Sequence, residues 1–533
     1  MLARAHGPAR LAASAAAAAF ATARRALSSA APDLVSATAP EAPDLASFVM
    51  GAAAAAAGTE PQVRTNASPL HNMAEQVAAK EYQVLTKRSI KGLLEAHAPP
   101  DVAARWLDFY TPATVLPMRT NNYVVEELIR WEDAPTDPIF QLVVPQPEML
   151  DEESTAHMRA LIESGEGKGV RLQDEANSIR AKLNPHPAGQ KTLNVPKVSG
   201  EALPGLQHKY PETALHFATE AQYCHAYCTY CFRWAQFVSV GSPLQFANKD
   251  AELLAQYLAK NKVISDLLLT GGDPMVMTAE QMGRYIRPIL NSAEHDHVQT
   301  IRIGTKSLAY WPYRFVTDAD ADPMLRLLED AVKAGKHVSI MAHFTHPAEL
   351  GTPVVREAIR RIRNTGAQIR TQAPLVGHVN DDAAAWARMW KEQVRLGCVP
   401  YYFFVSRDTG PREYFNVPLV KAYDIFTEAF TQQSGLARTV RGPSMSCDPG
   451  KVHYIGPADV NGEKVMVFKF LQARNPAWAE KPFFAAYDDK AVWLDDLKPA
   501  FGAEKFFFED EFAEIVRKGA SSGQLYQSPA DEG

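Results

Sequence analysis

The chain has 533 residues, of which 46% are apolar and 22% charged, and it carries a formal charge of −6. Such a length allows two or three domains and a large core, and the composition is that of a soluble globular enzyme. The charge gives no support to a basic nucleic-acid footprint. Five cysteines, sparse and odd in number, argue against a disulfide-stapled secreted protein and for a reducing compartment. No apolar run reaches bilayer-spanning length, so no membrane association is expected.

Residues 1–60 read as a transit peptide followed by a low-complexity spacer. The first stretch is Ala- and Ser-rich, holds Arg4, Arg10, Arg24 and Arg25, and has no acidic residue before Asp33. Arg24 to Ser29 resembles a mitochondrial processing site, and GAAAAAAG at 51–58 reads as the spacer. Mitochondrial targeting is the expectation; a chloroplast transit peptide or a plain disordered tail are the alternatives. Residues 61–205 are expected to form a helical region and linker. EYQVLTKRSIKGLLEAH and NNYVVEELIRW carry apolar residues at three- and four-residue spacing, and a Pro- and Gly-spotted stretch closes the region at 184–205.

From 206 to 430 short β-rich runs at 214–218, 266–269, 300–303, 337–343, 368–371 and 401–405 alternate with amphipathic runs such as AELLAQYLAKN. That alternation predicts an α/β fold, a parallel sheet covered by helices. Six units are too few for a closed eight-unit barrel, so a partial, TIM-like (β/α)6 barrel is expected, with its site beyond the carboxyl ends of the strands. The unusual residues fall there: three cysteines after the first strand, Gly271-Gly272-Asp273 after the second, His343 closing the fourth and Arg407 after the sixth. Residues 431–533 read as loop-rich, with two strand pieces, VHYIG and VMVFKF, and the turn Asp448-Pro449-Gly450 before Lys451.

CHAYCTYC at 224–231 places Cys224, Cys228 and Cys231 within eight residues. Disulfides need pairs, and a structural zinc needs four ligands. An iron-sulfur cube takes three thiolates and leaves its fourth iron open. An open iron can chelate the amino and carboxylate groups of S-adenosylmethionine and pass it an electron, releasing a 5′-deoxyadenosyl radical. The competing reading is a zinc site completed by His225 or His216. The glycines of Gly271-Gly272 allow backbone to approach a ligand closely, whereas Cys398 and Cys447 read as buried small hydrophobes.

The spacing CxxxCxxC resembles the radical S-adenosylmethionine superfamily. More narrowly, residues 204–451 resemble the lysine 2,3-aminomutase family. PGLQHKYPE, CHAYCTYCFR, LLLTGGDPM, RIGTKSLAYWPYRF, HFTHPAE, GHVND, PYYFFV and PGK occur in the family's order. The resemblance implies a radical isomerase that moves an α-amino group to the β-carbon of an amino acid. It implies a [4Fe-4S] cluster on the three cysteines, S-adenosylmethionine beside Gly271, Gly272 and Asp273, and pyridoxal 5′-phosphate on Lys451. It implies Lys209 and Tyr210 toward the cofactor phosphate, with Thr213 where the family has a further arginine, and Arg233 on the substrate α-carboxylate. A reduced ferredoxin or flavodoxin is the implied electron donor. The family's structural-zinc cysteines are missing, so no structural zinc is expected, and assembly into a homo-oligomer is left open. A radical enzyme without pyridoxal phosphate and an inactive binding protein are the alternatives of other classes.

Lysine-specific members hold the distal ammonium with two aspartates. Aligned without gaps, those positions are Arg407 and Ser444. A buried arginine repels an ammonium and pairs with a carboxylate, which points to an acidic substrate, glutamate first and aspartate behind it. One-residue shifts that brought in Asp408 and Asp448 would restore a lysine site.

Overall fold

The computed structural model describes residues 77–164, 170–198, 201–238 and 245–522. The expected transit peptide and spacer lie outside the described residues. The described residues fall in one compact unit, which includes positions 205 and 430.

An 11-stranded sheet organises this unit. Its strands are β1 (Leu206–Tyr210), β2 (Thr213–Phe217), β3 (Asp266–Thr270), β4 (Thr300–Thr305), β5 (His337–His343), β6 (Gln368–Leu375), β7 (Val399–Val405), β8 (Arg441–Ser446), β9 (Gly450–Val460), β10 (Glu463–Ala473) and β11 (Pro482–Ala486). They lie side by side in chain order. Strands β2 to β8 are parallel, β1 runs antiparallel to β2, and β8 to β11 form an antiparallel meander. The sheet ends at β1 and β11 and does not close on itself. Residues from β2 through β9 nevertheless line one cavity, among them Leu215, Leu268, Gly304, Met341, Gln372 and Phe404. A sheet whose one face surrounds a single space is curled, so the expected partial barrel is present.

The six expected strands are β2 to β7. Helices α1 (Ala251–Lys260), α2 (Ala279–Asn291), α3 (Ala321–Lys333), α4 (Pro353–Asn364), α5 (Ala383–Arg395) and α6 (Leu419–Thr431) follow in alternation. Their apolar stripes are buried: Leu254 and Leu258 on α1, Met324, Leu327, Leu328 and Ala331 on α3. Strands and helices thus form one core in which each parallel strand is backed by a helix. No helix among the described residues is long and apolar enough to cross a membrane.

Two regions differ from expectation. The tail is not loop-rich: β8 adds a seventh parallel strand, and β9 and β10 are 11-residue strands. The amino-terminal region is less helical than its spacing suggests. Val84–Thr86 pairs with Arg119–Asn121 as a two-stranded ribbon, and Val124–Leu128 makes a single π-turn.

Candidate active site

The cavity lies at the carboxyl ends of the parallel strands. Cys224, Cys228, Cys231, Arg233, Gly271, Gly272, Asp273, Arg407 and Lys451 all line it. Nine of the 11 residues singled out from sequence therefore meet in one place; Lys209 and Tyr210 do not line it.

The cysteine loop follows β2 and is clamped from two sides. From the amino-terminal region, Tyr82 Oη donates to His225 O at 2.8 Å, and Asn121 Nδ2 donates to His225 O at 3.1 Å and to Tyr310 O at 2.9 Å. Thr229 Oγ1 donates to Gln141 O at 2.8 Å. From the β3 side, Gly272 N donates to Ala221 O and Asp273 N to Tyr223 O, at 2.7 and 2.9 Å. A Cβ on Gly272 would stand 2.6 Å from Tyr223 O, so only glycine allows this approach. All three cysteines are free thiols, and burial raises the pKa of each, Cys231 to about 12. Such thiols become ligands by exchanging their protons for a cationic group, which fits a cluster. Among the described residues no three His, Cys, Asp or Glu side chains are gathered to hold a single metal ion. The imidazole of His225 is engaged with Ser307 Oγ at 2.9 Å, and that of His216 packs on Tyr285 with ring centroids 4.9 Å apart.

Asp273 lines the cavity but its carboxylate is spent within the protein. Oδ1 accepts from Met275 N and Thr305 Oγ1, and Oδ2 from Lys306 N and Ser307 Oγ, at 2.6–3.0 Å. It fixes the Gly271-Gly272 turn to the end of β4.

Two half-buried arginines face the same space. Arg233 Nη1 donates to Thr270 Oγ1 at 2.9 Å and to Gly271 O, and its Nε has no partner. Burial lowers its pKa to about 10, and nearby Arg407 adds to the effect. Arg407 Nε and Nη2 are both buried without partners. Asp408 is drawn away from the cavity: Asn184 Nδ2 donates to its carbonyl at 2.7 Å and to Oδ2 at 3.2 Å. Ser444 is fully buried in β8 opposite Phe404 and does not line the cavity; Ser446 does. Asp448 lies outside the lining as well.

Lys451 opens β9. Its Nζ lies 4.2 Å from the Tyr402 ring centroid and 3.4 Å from Gln472 Oε1. Burial, with smaller contributions from Arg302 and Arg441, lowers its pKa to about 7. A substantial neutral fraction at neutral pH makes this amine a nucleophile toward a carbonyl, which fits pyridoxal phosphate. Lys209 Nζ donates to Cys447 O, in the turn before Lys451. Its pKa is pushed well down by burial and by the Arg474 and Arg407 cations beside it. Arg474 Nε donates to Asp448 O at 2.8 Å and Nη2 to Asn194 Oδ1 at 2.6 Å, while Nη1 is buried without a partner. Cys398 and Cys447 are buried, as expected.

Sequence reading missed four contributors. Arg302, ion-paired with Asp266 at 2.8 Å, and Lys306 line the cavity. They stand in RIGTKSLAYWPYRF, as does Tyr310, so the motif held a signal. Arg474 sits mid-tail with nothing around it to mark it.

No protein-family model matches the chain. It is 30% identical over 379 residues, 71% of its length and 87% of the relative's, to an Aquifex aeolicus (strain VF5) protein provisionally named an L-lysine 2,3-aminomutase. The chain belongs to the lysine 2,3-aminomutase family. Two further members of the family match over a shorter span. The L-lysine 2,3-aminomutase of Fusobacterium nucleatum and the glutamate 2,3-aminomutase of Clostridioides difficile (strain 630) are each 27% identical, over 44% of this chain and 51% of theirs. A radical SAM methyltransferase structure from Sphaerobacter thermophilus matches at a TM-score of 0.29 and 14% identity, covering 44% of this chain and 68% of that one, too distant to carry an argument. As a member of the lysine 2,3-aminomutase family the protein is an isomerase, an aminomutase of the radical S-adenosylmethionine type.

Proposed function

We propose that the protein is a pyridoxal-phosphate-dependent 2,3-aminomutase of an acidic amino acid, glutamate first and aspartate behind it. In this reading Cys224, Cys228 and Cys231 hold a [4Fe-4S] cluster, S-adenosylmethionine lies beside Gly271 and Gly272, and Lys451 holds pyridoxal phosphate with Lys209, Tyr210 and Arg474 toward its phosphate. When bound, these groups supply a radical able to remove an unactivated β-hydrogen and a π system on which nitrogen can change carbons.

The chain's own part is to bind, orient and exclude water. Lys451 presents an amine with a substantial neutral fraction at neutral pH, because burial and the Arg302 and Arg441 cations lower its pKa to about 7. Arg233 and Arg407 face the cavity as two forks, one for each carboxylate of the substrate. The aromatic walls Phe232, Tyr402 and Phe404 keep the space apolar, which strengthens those pairings.

The observation that carries the substrate assignment is Arg407: it lines the cavity and its Nε and Nη2 have no partner, while Asp408 is bonded to Asn184. A lysine ammonium facing that guanidinium would meet a like charge in a poorly screened site. Removing one partner of a desolvated charge pair costs about 2–5 kcal/mol. Arg407→Asp is therefore expected to lower kcat/KM for glutamate by at least about 30-fold. Unchanged glutamate turnover in that variant would contradict the assignment.

A further inference from the structure

Behind the second cysteine lies a polar group that the proposed reaction does not use. Tyr310 is 1% exposed, and its hydroxyl is 3.1 Å from Cys228 Sγ. Between a phenol and a free thiol either atom can donate. A thiolate has no proton to give, so once Cys228 is a ligand the hydrogen bond has one direction, from Tyr310 Oη to the sulfur. The tyrosine is held in that position. Its carbonyl accepts from Asn121 Nδ2 at 2.9 Å, and its ring lies 4.6 Å from the Lys306 ammonium. Lys306 is itself fixed by Glu349 Oε1 at 2.6 Å and Thr345 Oγ1 at 3.0 Å. That carboxylate, fully buried, offsets the lysine charge. The hydroxyl acts on the sulfur directly, alongside the Lys306 charge and a second hydrogen bond from the Tyr230 hydroxyl. Arg233 N donates more weakly to Cys231 Sγ, at 3.4 Å.

A cluster that accepts one electron becomes more negative, and its thiolate sulfurs become stronger acceptors. A donor at a sulfur therefore favours the reduced form and raises the reduction potential. We propose that Tyr310 is a positioning residue that raises the potential of the cluster through Cys228, easing its one-electron reduction by a ferredoxin- or flavodoxin-type donor. The proposal rests on the cluster reading of the three cysteines.

The test is a potentiometric titration of the anaerobically reconstituted full chain, without S-adenosylmethionine, followed by the electron paramagnetic resonance of the reduced cluster. Tyr310→Phe keeps the ring and removes the donor; the midpoint is expected to move to a more negative potential with iron and sulfide content unchanged. A ring-fluorinated tyrosine incorporated at Tyr310, a stronger donor of nearly the same shape, is expected to move it the other way. Tyr313→Phe, whose hydroxyl meets Glu127 at 3.3 Å, is expected to leave it in place. A wild-type midpoint in Tyr310→Phe overturns the proposal, whether the variant keeps its full iron or loses part of it. Absence of any [4Fe-4S] signal in the wild-type protein overturns the cluster reading itself, and this proposal with it.

Discussion

Lys451 combines burial with a pKa lowered from 10.5 to about 7. Above pH 7 most of the folded population carries a neutral amine; below it the reactive fraction falls about tenfold per unit. Capture of pyridoxal phosphate by cofactor-free protein is therefore expected to speed up as pH rises to about 7 and then level off, followed as growth of the bound-cofactor absorbance. Lys451→Ala should show none. A rate that keeps climbing toward pH 10.5 would mean an unperturbed lysine. The same shift has a stability sign. Between about pH 7 and 10.5 the unfolded chain holds a proton that the folded chain lacks, so the cofactor-free protein gains stability as pH rises through that window. At residue scale the sequence identified the chemistry but not every role. Cys224, Cys228, Cys231 and Lys451 announce themselves by spacing and motif order. Asp273 does not: its carboxylate is consumed by four protein donors, and nothing in Gly271-Gly272-Asp273 says which way a side chain turns.

At the scale of elements, alternating apolar strands and amphipathic helices made β2 to β7 legible, because a parallel sheet buried on both faces leaves a strong pattern. Of the antiparallel tail only the two strand pieces VHYIG and VMVFKF, inside β9 and β10, were legible, not their full length or pairing. In β9 and β10 glycine, proline and charged residues interrupt the alternation, and pairing rather than propensity sets the 11-residue strands. The same holds for the 184–205 stretch, which reads as a linker yet supplies Asn184 to Asp408 and Asn194 to Arg474. The turn Pro347–Leu350 after β5 shows how elements are locked together. Glu349, fully buried, pairs with Lys306 beyond β4 and accepts from Thr345 N and His346 N. Glu349→Ala strands a buried ammonium and should cost about 3–5 kcal/mol, read from denaturant unfolding. A loss below about 1 kcal/mol would mean that the pair is solvated and does not lock these turns.

At the scale of the molecule, the ordered sheet curls around one cavity, and the amino-terminal region reaches over it to hold the cysteine loop through Tyr82, Asn121 and Gln141. Sequence order predicted that the cysteines and the glycine turn would converge, since each follows a strand at the same end, whereas Lys451 was tied to them only by the family resemblance. It could not predict which of Arg407 and Asp408 faces inward, because a one-residue change of phase reverses a side chain's direction and Asn184, more than 200 residues away, decides it. In the proposed reading that choice sets the substrate. The most direct measurement is an anaerobic assay of the full chain with S-adenosylmethionine and dithionite, offering glutamate and lysine separately and resolving the products as α- and β-amino acids. The expected result is β-glutamate from glutamate with lysine untouched; β-lysine from lysine with glutamate untouched would contradict it.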